Sequence, residues 1–106
     1  MARERITPEE LDAAGAAAVL RIDVRKNPDD RQIPGSIRRD GTALESADNP
    51  PFTPDQRVVL YCGSGNSSSR IAAALRERGY DATALEGGYR AWIEAGLPTE
   101  PRPAPS

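Results

Sequence analysis

The sequence predicts an α/β fold, in which a small, open and mostly parallel β-sheet carries helices on both faces. Segments of strand character alternate with helical segments along the 106 residues, which is typical of a parallel sheet flanked by helices. The segment 57–62 is almost continuously apolar, as expected of a strand that is covered on both faces. The length and the hydrophobic content of 38% suit one domain, which we expect to span residues 1–98.

The N-terminal part of the chain carries a helix signal followed by a strand signal. Thr7 is a candidate N-cap, Pro8 suits the first helical position, and Glu10 completes a capping box three residues after Thr7. Gly15 is expected to end this short helix. Residues 18–24 contain valine and isoleucine and therefore predict a strand.

The remaining elements follow from apolar periodicity and from the positions of glycine and proline. Residues 99–106 contain three prolines and no large apolar residue, so we expect a frayed, Pro-rich tail. The other predicted elements are, in chain order, a loop over 25–32, a turn leading into a short extended stretch over 33–37, a mostly irregular segment over 40–56, a strand over 57–62, a Gly- and Ser-rich loop over 63–68, a helix over 69–78, a strand over 82–85, a turn at 87–88 and a helix over 89–95.

The composition excludes several kinds of catalytic site. The chain contains one cysteine, Cys62, so neither an intramolecular disulfide nor a Cys-x-x-Cys redox pair can form. It contains no histidine, which excludes a Ser-His-Asp triad, a Cys-His dyad and a histidine-ligated metal. We therefore expect a site that uses neither a metal nor a cofactor.

The charge and hydropathy pattern indicates neither a nucleic-acid partner nor a membrane partner. The 14 Lys and Arg residues stand against 16 Asp and Glu residues, which gives a net charge of −2. No apolar run approaches the ~20 residues of a membrane-spanning helix, and the residues after Met1 lack the apolar segment of a signal peptide. The cytoplasm is the expected compartment.

Cys62 lies where the predicted apolar strand ends, and a loop of small residues separates it from the next helix. Glycines in such a loop let backbone N–H groups converge on an anion, and the N-terminus of the helix adds partial positive charge. A thiol at this point should ionise more easily than a free one. A lone cysteine is most often a small buried hydrophobic residue, yet the combined features make an anion-handling nucleophile an equally good interpretation. The loop residues are Gly63, Ser64, Gly65, Asn66, Ser67 and Ser68.

These segments resemble, in their order and spacing, a single-domain rhodanese, which is a sulfurtransferase homology domain. Each segment is weak evidence alone, and together they cover residues 6–98. The matching segments are Thr7-Pro8-Glu9-Glu10-Leu11, Ile22-Asp23-Val24-Arg25, Ile33-Pro34-Gly35-Ser36-Ile37, Tyr61-Cys62-Gly63-Ser64-Gly65-Asn66-Ser67-Ser68, Gly79-Tyr80, Leu85-Glu86-Gly87-Gly88-Tyr89-Arg90-Ala91-Trp92 and Gly96-Leu97-Pro98.

The resemblance implies a function for the loop cysteine. In this family the cysteine accepts a sulfane sulfur from a small-molecule donor such as thiosulfate, becomes a persulfide, and passes the sulfur to cyanide or a thiol. Carried onto this chain, Cys62 is the nucleophile, and backbone N–H groups of residues 63–67 cradle the persulfide. Because the chain has no second cysteine, the acceptor must come from outside it, as a small molecule or as a protein that accepts sulfur.

The loop also distinguishes among relatives of this kind. Phosphatase-like members have an arginine six residues after the cysteine, where this chain has Ser68. Phosphatase and arsenate reductase activities are therefore disfavoured alternatives, and a non-catalytic regulatory, interaction or sulfur-carrier domain is a further one. Many rhodaneses also have a basic residue within the loop at the position of Ser67, so the identity of the donor stays open.

Two arginines could attract an anionic donor at the rim of the site. Arg25 belongs to an Asp-x-Arg signature with Asp23, and a partly buried ion pair that supports the first strand is the preferred interpretation. Arg70 lies in the first turn of the helix after the loop, where it faces either the mouth of the loop or solvent.

Overall fold

The computed structural model describes residues 5–15, 18–46 and 50–102. Its elements are, in chain order, β1 (Arg5–Ile6), α1 (Pro8–Ala14), β2 (Leu20–Asp23), β3 (Arg31–Gln32), β4 (Ile37–Arg38), α2 (Gly41–Ser46), β5 (Arg57–Tyr61), α3 (Asn66–Glu77), β6 (Asp81–Leu85), α4 (Gly88–Glu94) and β7 (Glu100–Pro101).

The central sheet has five strands in the order β1-β6-β5-β2-β4, and every neighbouring pair in it is parallel. β5, the strand with the continuous apolar run, lies in the middle, between β2 and β6. A second, antiparallel pair is formed by β3 and β7. The predicted α/β class with a mostly parallel sheet is confirmed.

Alternate residues of β5 face two separate cores, as the two-residue period of a strand requires. Helices cover each core, so the prediction of helices on both faces is also confirmed. The Cys62 face has a core built of Ile22, Val24, Leu44, Phe52, Val58, Leu60, Cys62, Ile71, Ala72, Leu75, Ala82 and Ala84. The Trp92 face has a core built of Ile6, Leu11, Val19, Ile33, Val59, Tyr61, Leu85, Tyr89 and Trp92.

The start of α1 confirms the capping signal in the sequence. The backbone N–H of Glu10 donates to Thr7 Oγ1 at 3.2 Å, and the backbone N–H of Thr7 donates to Glu10 Oε1 at 3.1 Å. Pro8 takes the first helical position, where a backbone N–H would have no acceptor within the helix, so the lack of an N–H in proline costs no hydrogen bond. Leu11 then points into the Trp92 face, where it is fully buried.

Two predicted boundaries are corrected. The segment 40–56 was expected to be mostly irregular, yet it contains α2, which buries Leu44. Asp40 starts this helix by accepting hydrogen bonds from the backbone N–H groups of Thr42 and Ala43, and the prolines that suggested irregularity all follow it. α3 begins at Asn66, earlier than the predicted residue 69, because the loop turns into the helix at Gly65.

The C-terminal segment is corrected as well, since residues 99–102 pair with the rest of the chain. β7 pairs with β3 at the end of the segment predicted as a loop over 25–32. The Arg31 guanidinium donates to the Thr99 carbonyl at 2.6 Å, and Gln32 donates to the Glu100 carboxylate at 2.6 Å. The frayed tail expected from residue 99 therefore does not describe these four residues, and residues 103–106 lie outside the described part.

Candidate active site

Cys62 directly follows β5 and so lies at the carboxyl end of the central strand. Ligand sites of open parallel sheets lie beyond this end of the strands. The Cys62 sulfur accepts a hydrogen bond from the backbone N–H of Gly65 at 3.0 Å and lies 3.4 Å from Ser68 Oγ. Gly65 has a φ of +96° and precedes the first residue of α3, so its N–H points back at the sulfur.

These contacts affect the ionisation of the thiol. Burial of Cys62 opposes ionisation, because a charged sulfur loses contact with water. Hydrogen bonds from the Ser68 side chain and from the backbone N–H groups of Ser68, Gly65 and Ser64 outweigh this effect and lower the pKa of Cys62 below its ordinary value. The loop therefore favours the thiolate, which is the nucleophilic form.

The start of α4 packs against the backbone of the loop and hydrogen-bonds to it. The backbone N–H of Tyr89 donates to the Cys62 carbonyl at 2.8 Å, and that of Arg90 donates to the Gly63 carbonyl at 3.1 Å. Gly88 lies so close that an added Cβ would come within 2.5 Å of the Cys62 carbonyl oxygen and 2.7 Å of the Gly65 nitrogen. Sequence reasoning assigned Gly88 only to a turn, although the adjacent pair of glycines signalled a close backbone approach.

A cavity of about 190 Å³ opens beside the sulfur on the Cys62 face. Of the predicted site residues, Cys62, Gly63, Ser64, Ser67 and Arg70 line it, whereas Gly65 and Ser68 contact the sulfur without lining the cavity. Asn66 is exposed at the first turn of α3. The complete lining is Val24, Lys26, Gly41, Thr42, Cys62, Gly63, Ser64, Ser67, Arg70 and Ile71.

Arg25, one of the two predicted rim residues, is not part of this lining. It is only 6% exposed, and its Nη2 atom lies 2.7 Å from the carboxylate of Asp23, which is fully buried. Its guanidinium lies 4.1 Å from the centre of the Tyr89 ring, which places it on the Trp92 face. Burial opposes its charge, but Asp23 outweighs burial and raises the pKa of Arg25. This geometry is that of the supporting ion pair.

Arg70 does line the cavity, and its charge is paired. Its Nη1 atom lies 2.7 Å from Glu45 Oε2 at the end of α2, and its side chain is 60% exposed. Lys26, which sequence reasoning passed over, also lines the cavity, two residues after Val24 on the same face. The signal that could have found Lys26 was the strand alternation continued past the end of β2, which puts Asp23 and Arg25 on one side and Val24 and Lys26 on the other.

Among the described residues, no group of three or more His, Cys, Asp or Glu side chains is arranged to hold a metal ion. Within the same residues, no helix has the length and apolar character needed to cross a membrane.

The fold and the site together define the class to which the protein belongs. The structure matches the crystal structure of a rhodanese-related protein from Thermoplasma volcanium with a TM-score of 0.79 and 25% identity, over 91% of this chain and 96% of that one. Residues 7–95 match the rhodanese-like domain family. The chain therefore belongs to the rhodanese-like domain family.

Several curated relatives are named as sulfurtransferases. A tRNA sulfurtransferase from Desulfurococcus amylolyticus is 35% identical over 91 residues, which is 81% of this chain and 18% of that protein. The thiosulfate sulfurtransferase GlpE from Actinobacillus succinogenes is 47% identical over 47 residues, which is 43% of this chain and 42% of that protein. The chain thus spans less than half the length of either relative.

Proposed function

We propose that this protein is a cytoplasmic sulfurtransferase that carries sulfane sulfur on Cys62. The observation that carries the proposal is the set of hydrogen bonds on the Cys62 sulfur, which favour a thiolate beside an open cavity. Membership of the rhodanese-like family and two relatives named as sulfurtransferases support it. The expected donor is a small molecule of the thiosulfate type.

The first half-reaction loads the cysteine. The Cys62 thiolate attacks the sulfane sulfur of thiosulfate, so that a new S–S bond forms at Sγ. The old S–S bond breaks, and its electron pair leaves with sulfite. The product is a persulfide with a charged terminal sulfur, which the loop N–H groups of residues 63–67 can stabilise as hydrogen-bond donors.

The second half-reaction must use an acceptor from outside the chain, because Cys62 is its only cysteine. A thiolate or cyanide attacks the terminal sulfur and takes it, and the bond to Sγ breaks to restore the Cys62 thiolate. A cytoplasm in which thiols are kept reduced supplies such acceptors. A protein thiol is an equally suitable acceptor in chemical terms.

Intact-mass spectrometry after incubation with thiosulfate tests the proposal. We expect wild-type protein to gain about 32 Da, which a thiol reductant removes, and Cys62→Ser protein to gain nothing. An unloaded wild-type protein, or the same adduct on the Cys62→Ser variant, contradicts the proposal. An assay with a phosphate ester addresses the phosphatase alternative, for which Ser68 stands in the place of the required arginine.

A further inference from the structure

Lys26 is the only lysine of the chain, and it lines the cavity beside the Cys62 sulfur. It follows β2 on the Cys62 face, whereas its neighbour Arg25 is buried against Tyr89 on the Trp92 face. Lys26 is exposed, and it forms no ion pair with any residue that the structure describes. Its positive charge is therefore available to a ligand in the cavity.

The other charges around the cavity make Lys26 the main attraction for an anion. Arg70 is the second cationic residue of the lining, and Glu45 neutralises it at 2.7 Å. Within the loop, Ser64 and Ser67 offer hydroxyl groups but no charge. Val24 and Ile71 form apolar walls that cannot compensate for the desolvation of an anion.

We infer that Lys26 binds the oxyanion group of the sulfur donor and so selects donors that carry a negative charge next to the sulfane sulfur. The inference rests on the proposed sulfur transfer and adds a substrate-binding residue to it. Lys26 holds the oxygens of the leaving group, and the sulfane sulfur faces Cys62. The electron pair that leaves in the first half-reaction then goes to a sulfite whose oxygens already contact a positive charge. Lys26 is a binding residue for the donor, and it plays no part in the second half-reaction.

Alkylation of Cys62 tests this inference without any sulfur transfer. Iodoacetate and iodoacetamide react at the same sulfur by the same displacement of iodide, and they differ in that iodoacetate carries a carboxylate. The ratio of their rate constants measures the attraction of the cavity for an anion. We expect Lys26→Met to lower this ratio about three- to fivefold, which is typical of one exposed ionic contact. The effect should shrink at high ionic strength.

Two further variants sharpen the measurement. Arg57→Met removes the same charge from an exposed residue at the opposite end of β5, and it should leave the ratio unchanged. Glu45→Gln removes the partner of Arg70 and should raise the ratio about twofold, because a second positive charge then becomes available to the cavity. Equal ratios in the Lys26→Met and Arg57→Met proteins overturn the inference.

Steady-state kinetics with thiosulfate as donor and dithiothreitol as acceptor form the second arm of the test. The two half-reactions are separable, since kcat/KM for each substrate depends only on its own half-reaction. Lys26→Met should lower kcat/KM for thiosulfate about five- to tenfold, because the donor carries two charges, and leave kcat/KM for dithiothreitol unchanged. A loss confined to dithiothreitol, or an equal loss for both substrates, contradicts a role in donor binding.

The two arms also separate failure of the inference from failure of the proposed function. If the wild-type protein shows no turnover but its alkylation ratio depends on Lys26, the anion site is supported and the proposed sulfurtransferase activity is contradicted. If Cys62 resists both alkylating reagents, calorimetry of thiosulfate binding to Cys62→Ser protein decides. Weaker binding after the added Lys26→Met change supports the inference, and unchanged or absent binding overturns it.

Discussion

Two adjacent residues that follow β2, Arg25 and Lys26, carry the same charge and lie towards opposite faces of the sheet. Arg25 lies between Asp23 and the Tyr89 ring on the Trp92 face, and it is 6% exposed. Lys26 is exposed at the cavity of the Cys62 face. Buried charge needs a fixed partner, whereas exposed charge is free to meet a ligand. The comparison teaches that the arginine of the Asp-x-Arg signature supports the fold, whereas the lysine next to it lies at the cavity.

The cores of the two faces differ in the same way. On the Trp92 face, Arg21 joins Asp23 and Arg25 as a buried charged residue, and it donates to the Leu11 and Pro34 carbonyls at 3.0 Å and 2.8 Å. None of these three buried charged residues lies on the Cys62 face, where the buried polar group beside the thiol is the uncharged Ser68. Thiolate formation there depends on the uncharged donors around Cys62, namely backbone N–H groups and the Ser68 hydroxyl.

The largest difference between the faces should appear when the two neighbouring charges are removed in turn. Arg25→Met leaves the buried carboxylate of Asp23 without its closest partner, so the free energy of unfolding should fall by about 3–5 kcal/mol. Lys26→Met should change it by less than about 0.5 kcal/mol. Urea denaturation of both variants measures the difference. Equal losses of stability would show that the two surroundings are not as different as the geometry indicates.

A second substitution tests the support that α4 gives to the loop. Gly88→Ala places a Cβ 2.5 Å from the Cys62 carbonyl oxygen at a φ of +66°, so we expect a loss of about 2–4 kcal/mol and slower alkylation of Cys62. Gly79→Ala is the matched control, because Gly79 also has a positive φ but nothing lies within 4 Å of an added Cβ. It should cost about 1 kcal/mol and leave the alkylation rate unchanged.

The pH dependence of alkylation tests whether the uncharged hydrogen-bond donors on the Cys62 face stabilise the thiolate. Because the loop lowers the pKa of Cys62, the rate with iodoacetamide should persist to lower pH than for a free thiol. Ser68→Ala removes a side-chain donor to the sulfur, so the pKa of Cys62 should rise and the midpoint of the rate profile should move to higher pH. A midpoint that stays in place after this substitution argues that Ser68 does not stabilise the thiolate.

The smallest expected effect concerns the C-terminal strand. Glu100 accepts hydrogen bonds from Gln32 at 2.6 Å and from the backbone N–H of Gly35 at 3.2 Å. Glu100→Ala should lower the free energy of unfolding by about 1–2 kcal/mol, because the Gly35 N–H loses its acceptor and Gln32 keeps only its longer hydrogen bond, to the Ser36 carbonyl. The alkylation rate of Cys62 should not change. Thermal unfolding measures the loss of stability, and alkylation of the same preparation measures the rate.

Much of the fold could be predicted because its signals are local. The capping box at Thr7 and Glu10 needs only residues three apart, and the apolar run of β5 shows directly that both of its sides are covered. The end of that strand located Cys62, and the loop glycines indicated the backbone donors. α2 escaped prediction because its short length leaves little periodicity, and the burial of Leu44 depends on contacts with the core of the Cys62 face.

By itself, the sequence determined the alternation of strands and helices and the place of Cys62 at the end of an apolar strand. It also determined that Cys62 is the only cysteine among the 106 residues. Only the tertiary structure decided which charges are buried, that Lys26 lines the cavity, and that residues 99–102 pair with residues 30–32. The physical reason is that burial and electrostatics depend on groups that folding brings together from distant parts of the chain, and a linear pattern contains no record of those distances.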